Sequence, residues 1–158
     1  MDAATIIAAL ELAPHPEGGW FRQTWLAEGP GRPAGSAIYF LLQAGEVSHW
    51  HRFDAPEIWH FHAGAALELR IAPSDQGPVK RLTLGLDLGA GQRPQQLVPA
   101  DWWQTARPLG DWTLVGCTVT PAFVFETFEL APKAFDIEVW ADDPRRGSAP
   151  DPGIFAAS

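Results

Sequence analysis

Four of the chain's five histidines fall in one short stretch, SHWHRFDAPEIWHFHAG, residues 48–64. His49 and His51 are two apart. A strand sends residues two apart to the same face, so both imidazoles can reach one centre. Glu57 follows the break at Asp54-Ala55-Pro56, across which a hairpin partner could bring its carboxylate to the same place. Two imidazoles and one carboxylate are a common donor set for Fe(II), Mn or Zn. The same three groups also suit acid–base chemistry without a metal. If Glu57 faces inward, alternation turns Trp59 and Phe61 inward with it and sends Ile58, His60 and His62 to the other side. The first pair and Glu57 are therefore expected to form a site, and the second pair to be scaffold.

Other residue types carry weaker signals. Glu126 stands between Phe125 and Phe128 in FVFETFEL: facing a core it would be a buried acid with a raised pKa, and facing out it would have no role. Glu17 can cap the backbone of the turn that follows it or line a pocket. Trp50, Trp59, Trp102 and Trp103 lie beside the motif residues and can stack on a planar ligand or simply pack. Cys117 has no motif partner and reads as a small buried hydrophobe.

These groups need elements to hold them. Asp2 can cap a short helix over residues 3–12, which Pro14 and Pro16 end. A turn at Glu17-Gly18-Gly19 leads into a strand on which Trp20, Arg22 and Thr24 share a face. Strands are expected at SAIYFLL (36–42, buried on both sides), at the histidine segment, and at EIWHFHAG and LELRI. In LELRI, Leu67, Leu69 and Ile71 alternate with Glu68 and Arg70, giving one dry and one wet face. SDQG reads as a hairpin turn, followed by VKRLTLGL and a bend at Gly89 and Gly91. QQLVPADWWQTA, DWTLVGCTVTP and AFVFETFELA supply the last strands, a short helix is expected after Pro132, and 142–158 reads as a mobile tail. Many short strands cut by Gly and Pro describe an all-β sandwich or barrel, one domain over residues 1–141.

Composition narrows the function. The chain has 158 residues, a net charge of -8, 8 Trp and 9 Phe, which suits one core with aromatic walls and gives no concentrated positive face for nucleic acid. No apolar run reaches membrane-spanning length, and MDAATIIAALEL lacks a cationic signal-peptide start. The lone Cys117 forms no disulfide framework, so a reducing cytoplasm is expected.

Gly45, His49-x-His51, Glu57 and Gly64 resemble the first cupin motif, with a shorter first gap and a slightly longer His-to-Glu gap. Pro99-Ala100-Asp101-Trp102-Trp103-Gln104 resembles the second, with Asp101 in place of its glycine and Gln104 in place of its histidine. HPEGGWFRQTW, AIYFLL, HRFDAPEIWHFHAG, LVPADWWQ and LVGCTVTPAFVFETFELA are similar, in this order, to the uncharacterised Cupin-5 branch, over roughly residues 10–132. The resemblance implies an all-β cupin double-stranded β-helix, a jelly-roll barrel with a short N-terminal helix, a pocket at one mouth, and a homodimer. It implies likeness in fold to dTDP-4-dehydrorhamnose 3,5-epimerase and to seed storage proteins.

Three readings follow from it. In one, His49, His51, Glu57 and Gln104 hold a divalent ion, Fe, Mn, Ni or Zn. In another, His51 is a general base on a sugar-like or carbonyl-containing small molecule, steadied by Glu57. This favours isomerase or epimerase chemistry, although the tyrosine acid of those epimerases has no counterpart beyond the buried-looking Tyr39. In the third, the barrel binds a ligand without catalysis. The implied pocket also takes Arg22 at its rim as an anion binder, with Trp59, Phe61, Gln104, Glu126 and Glu17 against the ligand.

Overall fold

Apolar alternation broken by Gly and Pro produces strands throughout the computed structural model, which describes residues 1–141. The expected tail, 142–158, lies outside the described residues. Helix α1 (Ala3–Ala9) is capped by Asp2, whose carboxylate accepts the Thr5 N–H at 2.8 Å. It stops short of the expected residue 12 because Glu11 turns to a φ of 54°.

The larger antiparallel sheet runs β1 (Ala13–Pro14), β2 (Trp20–Leu26), β3 (Ser36–Gln43), β10 (Trp112–Val119), β5 (Glu57–Gly64) and β8 (Gln95–Val98). The smaller runs β11 (Glu129–Leu130), β4 (Ser48–Arg52), β9 (Trp103–Pro108), β6 (Leu67–Ala72) and β7 (Lys80–Leu84). Side chains alternate along the strands except at bulges, so the inner faces meet in one core of Phe40, Leu42, Trp59, Leu69, Ile71 and Val115. β3, expected to be buried on both sides over 36–42, is so only at Phe40–Leu42, where Leu41 points the other way and lies under α1, against Ala3 and Ile6; Ala37 and Tyr39 are half-buried on the outer face.

Three expectations change in the folded chain. The wet face of β6 is not wet at Glu68, whose side chain is only 8% exposed because Arg70, Arg81 and Arg107 enclose it. Of AFVFETFELA only Glu129–Leu130 pairs as a strand, with β4. The residues before it curl into a 3-10 turn, Phe125–Thr127, because Phe123, Phe125 and Phe128 pack on one another with ring centroids 4.9–6.1 Å apart. No helix follows Pro132 among the described residues. There the Phe135 N–H closes a turn on the Pro132 carbonyl at 2.9 Å, and the Ala141 N–H bonds back to Val79 at 2.8 Å. Among the described residues no helix is long and apolar enough to cross a membrane.

Candidate functional site

The inner pocket begins with the turn ahead of β2. The His15 N–H reaches the Gly19 carbonyl at 2.9 Å, the Gly18 N–H reaches His15 at 3.0 Å, and the His49 N–H reaches the Glu17 carbonyl at 2.8 Å. Gly18 is required there: its φ is +107°, and a Cβ on it would lie 2.1 Å from the Val47 carbonyl oxygen. The tight bend presses the chain onto the start of β4 and turns His15 and Glu17 toward the interior.

β4 then meets this turn through a bulge. Ser48 pairs with Ala106 and His51 with Gln104, so β4 spends one residue more than β9 between the two pairs. The extra residue breaks the alternation. Ser48 and His51 thereby both face Glu17: the Ser48 hydroxyl donates to Oε1 at 3.0 Å, and His51 Nε2 lies 3.1 Å from Oε2. On the facing sheet, Glu57 at the start of β5 accepts from Trp59 Nε1 at 3.0 Å, and Trp59 Nε1 also reaches Gln104 Oε1 at 2.9 Å.

Hydrogen positions follow from the partners. His51 Nδ1 is 2.7 Å from the His49 carbonyl oxygen, which can only accept, so the hydrogen is on Nδ1 and Nε2 keeps its lone pair. The proton on the short line between Nε2 and Glu17 then comes from Glu17. His15 Nδ1 accepts the Glu17 N–H at 3.1 Å, which leaves the hydrogen of its neutral ring on Nε2.

Burial accounts for the charge states. It drives the His51 imidazole down to about 4, against the hydrogen bond to His49 that favours the charged ring. It also lowers His15, with Glu17 pulling the other way. Glu17 is raised by burial, partly offset by His15 and Ser48. Glu57 is pushed up to about 8, first by burial and then by the neighbouring Glu17, while hydrogen bonds from Gln104 and Trp59 oppose the rise. The resting cluster is two neutral imidazoles beside two carboxyls that hold their protons. Burial raises the Cys117 thiol well above its ordinary value, so it stays a thiol.

The cavity holding these groups measures about 80 Å³ and is walled by Phe21, Phe53, Phe123, Phe125 and Ile38. Its aromatic flap, residues 121–128, is tied down from outside. Arg32 grips Asp54 with two hydrogen bonds of 2.8 and 2.9 Å, and the Thr127 hydroxyl reaches the same carboxylate at 2.9 Å.

Several expected residues stand elsewhere. The bulge sends His49 to the outer side, where Nε2 donates to the Pro132 carbonyl at 2.8 Å, so His49 does not join His51. Arg22 is on the outer face of β2, paired with Glu11, because Phe21 and Gln23 take the inward positions. Glu126 is exposed on the 3-10 turn. Phe61 packs against the core and does not line the cavity. Trp59 and Gln104 support Glu57 from behind. His60 and His62 lie on the outer face with Thr24 and Tyr39.

The metal set expected from the motif, His49, His51, Glu57 and Gln104, is therefore not assembled. The Gln104 oxygen is already occupied by Trp59. Among the described residues, no group of three or more His, Cys, Asp or Glu is arranged to hold an ion. The residue that sequence reasoning passed over is His15. Its signal was present, since His15-x-Glu17 before a Gly-Gly turn repeats the two-residue spacing of His49-x-His51.

The comparisons agree with this architecture. A family model described as Cupin superfamily (DUF985), Cupin_5, matches residues 4–131. The chain is similar to a crystal structure of a Shewanella oneidensis protein, at 45% identity over 83% of this chain and 85% of that one, with a TM-score of 0.79. It is also similar to a hypothetical protein from Leishmania major, at 27% identity over 85% and 90% of the two chains and a TM-score of 0.79. Oxalate decarboxylase from Bacillus subtilis is alike in fold alone, at 13% identity, 74% of this chain, 29% of that one and a TM-score of 0.58. No curated protein matches the sequence. With its two sheets and a family match over most of its length, the chain belongs to the Cupin_5 family of the cupin superfamily.

Proposed function

We propose that the protein binds a small carbonyl compound, or the carbonyl end of a sugar-like one, and moves a proton between carbon and oxygen in isomerase or epimerase fashion. The observation that carries this reading is the buried line from Glu17 Oε2 to His51 Nε2, 3.1 Å long, inside a cavity of about 80 Å³. Glu17 gives its proton to the carbonyl oxygen. His51 Nε2, released from that hydrogen bond, takes the proton from the adjacent carbon. An O–H bond forms and a C–H bond breaks, and the cluster becomes a carboxylate beside an imidazolium, an ion pair already in contact. Return of the two protons, to either face or to the neighbouring carbon, completes the exchange.

In this step Glu17 takes the place of the tyrosine acid, and Glu57 stands beside it as a second carboxyl in the cavity. With its pKa pushed up to about 8 it stays neutral near pH 7, can donate a hydrogen bond to the developing oxyanion, and adds no second negative charge. The phenylalanine walls keep water from competing for either proton.

The test is exchange of carbon-bound hydrogen in D2O, followed by proton NMR with pyruvate, dihydroxyacetone and glyceraldehyde as probes. Exchange roughly 10²-fold above buffer, absent in His51→Ala and Glu17→Gln, is the expected result. No exchange on any probe, or exchange that survives His51→Ala, overturns the proposal. Activity lost to a chelator and restored by Fe, Mn, Ni or Zn would also overturn it, in favour of a metal-dependent cupin.

A further inference from the structure

We propose that the outer face of the smaller sheet carries a second binding site, for a small molecule with a carboxylate or phosphate on an apolar or aromatic body. A cavity of about 330 Å³ opens there, lined by Arg70, Arg107, Lys133, Glu68, Trp50 and Phe135 among others. Its residues point away from the inner pocket because Glu68 and Arg70 alternate with Leu67, Leu69 and Ile71, which fill the core.

The charge placement singles this cavity out. The chain carries a net charge of -8 with only 11 Lys and Arg, yet three arginines converge on one carboxylate here. Arg70 and Arg81 sit directly opposite each other across β6 and β7, a pairing of like charges that opposes sheet formation. Glu68 answers part of it. Its Oε1 accepts from Arg70 Nε at 2.5 Å and Arg107 Nε at 3.1 Å, and its Oε2 lies 3.4 Å from Arg107 Nη2 and 3.5 Å from Arg81 Nε. One carboxylate balances one of three guanidiniums.

Asp136, the other acid among the described residues of the cavity wall, accepts from Trp50 Nε1 at 3.0 Å and from the Ile137 N–H at 2.9 Å, so it is already bonded to neutral donors. With Lys133 counted, positive charge is in excess among the described residues. The Trp140 ring lies against Arg70 at 4.8 Å and Arg81 at 4.7 Å and holds both guanidinium planes. Glu68 engages Arg70 through Nε, and no described residue accepts from its paired Nη donors. A planar oxyanion needs such a fork. Phe135, half-buried and backed by the buried Trp50 with ring centroids 6.3 Å apart, then offers aromatic surface beside the charge, which suits a ligand with a flat or apolar body.

The proposal is tested by calorimetric titration of the full chain with phenyl phosphate, with benzoate and inorganic phosphate as separate arms. Saturable binding that weakens with added salt is expected. Arg107→Ala and Lys133→Ala should each lower affinity at least fivefold, Glu68→Gln should raise it, and His51→Ala should leave it unchanged. Lys133 is exposed and outside the strands, so its variant reads the site even if an arginine variant misfolds. Stronger binding of phenyl phosphate than benzoate assigns phosphate, and the reverse assigns carboxylate. Absence of saturable binding in all three arms, or loss in His51→Ala with none in Lys133→Ala, overturns the proposal.

Discussion

At the scale of single residues, the inner cluster makes stability respond to pH in two opposed ways. Glu57 has a folded pKa of about 8 against 4.5 for the free group. Below pH 4.5 both states are protonated and the shift contributes nothing. As pH rises from 4.5 to 8 the unfolded chain gains the ionised form and the folded chain does not, so stability falls. Over that window Glu57→Gln should gain on wild type by roughly 3–5 kcal/mol, measured by urea unfolding at pH 4.5, 6.5 and 8.5. A difference independent of pH would mean that Glu57 is ionised in the folded protein. His51, lowered to about 4, acts in the other direction: it costs nothing above pH 6.5 and destabilises as pH falls toward 4, because the unfolded imidazole takes up a proton that the buried ring refuses.

At the scale of elements, two backbone details place the chemistry. The first is the turn at Gly18. An alanine there meets the Val47 carbonyl at 2.1 Å and requires a left-handed backbone, so Gly18→Ala should cost roughly 2–4 kcal/mol and disturb Glu17 before anything else. The check is thermal unfolding together with nuclear magnetic resonance shifts of His15 and His51. Unchanged shifts would show that the turn does not set the pocket. The second detail concerns Asp101, which stands where the second cupin motif has glycine. Its φ of 64° explains both residues: the site needs the left-handed region, where glycine is free and aspartate is among the better-tolerated alternatives. Asp101→Gly should therefore be neutral or stabilising by up to about 1 kcal/mol, whereas Asp101→Val should destabilise, as denaturant unfolding would show.

At the scale of the whole molecule, the two sheets separate two environments that the sequence interleaves residue by residue. The inner side of the barrel gathers aromatic walls around His15, Glu17, His51 and Glu57. The outer side of the smaller sheet collects arginines around one buried glutamate. We propose that the chain forms the homodimer that the family resemblance implies, and sedimentation equilibrium decides it. A mass twice that of the chain, independent of salt, is expected from an apolar contact between copies, while a monomer at micromolar concentration removes the dimer.

Sequence reading alone reached the fold class, most strand positions, and the inward parity of Glu57 and Trp59. Those depend on period-two alternation and on Gly and Pro breaks, which are local. It could not place His49, because one bulged residue in β4 reverses the face of everything before it, and a bulge is set by pairing with β9. It could not see that Glu17 meets His51, since that contact joins residues far apart in the chain through a turn pressed against Val47. His15 passed unnoticed for the same reason. The pKa values that make the cluster chemically useful come from burial, and burial exists only once the two sheets have closed over it.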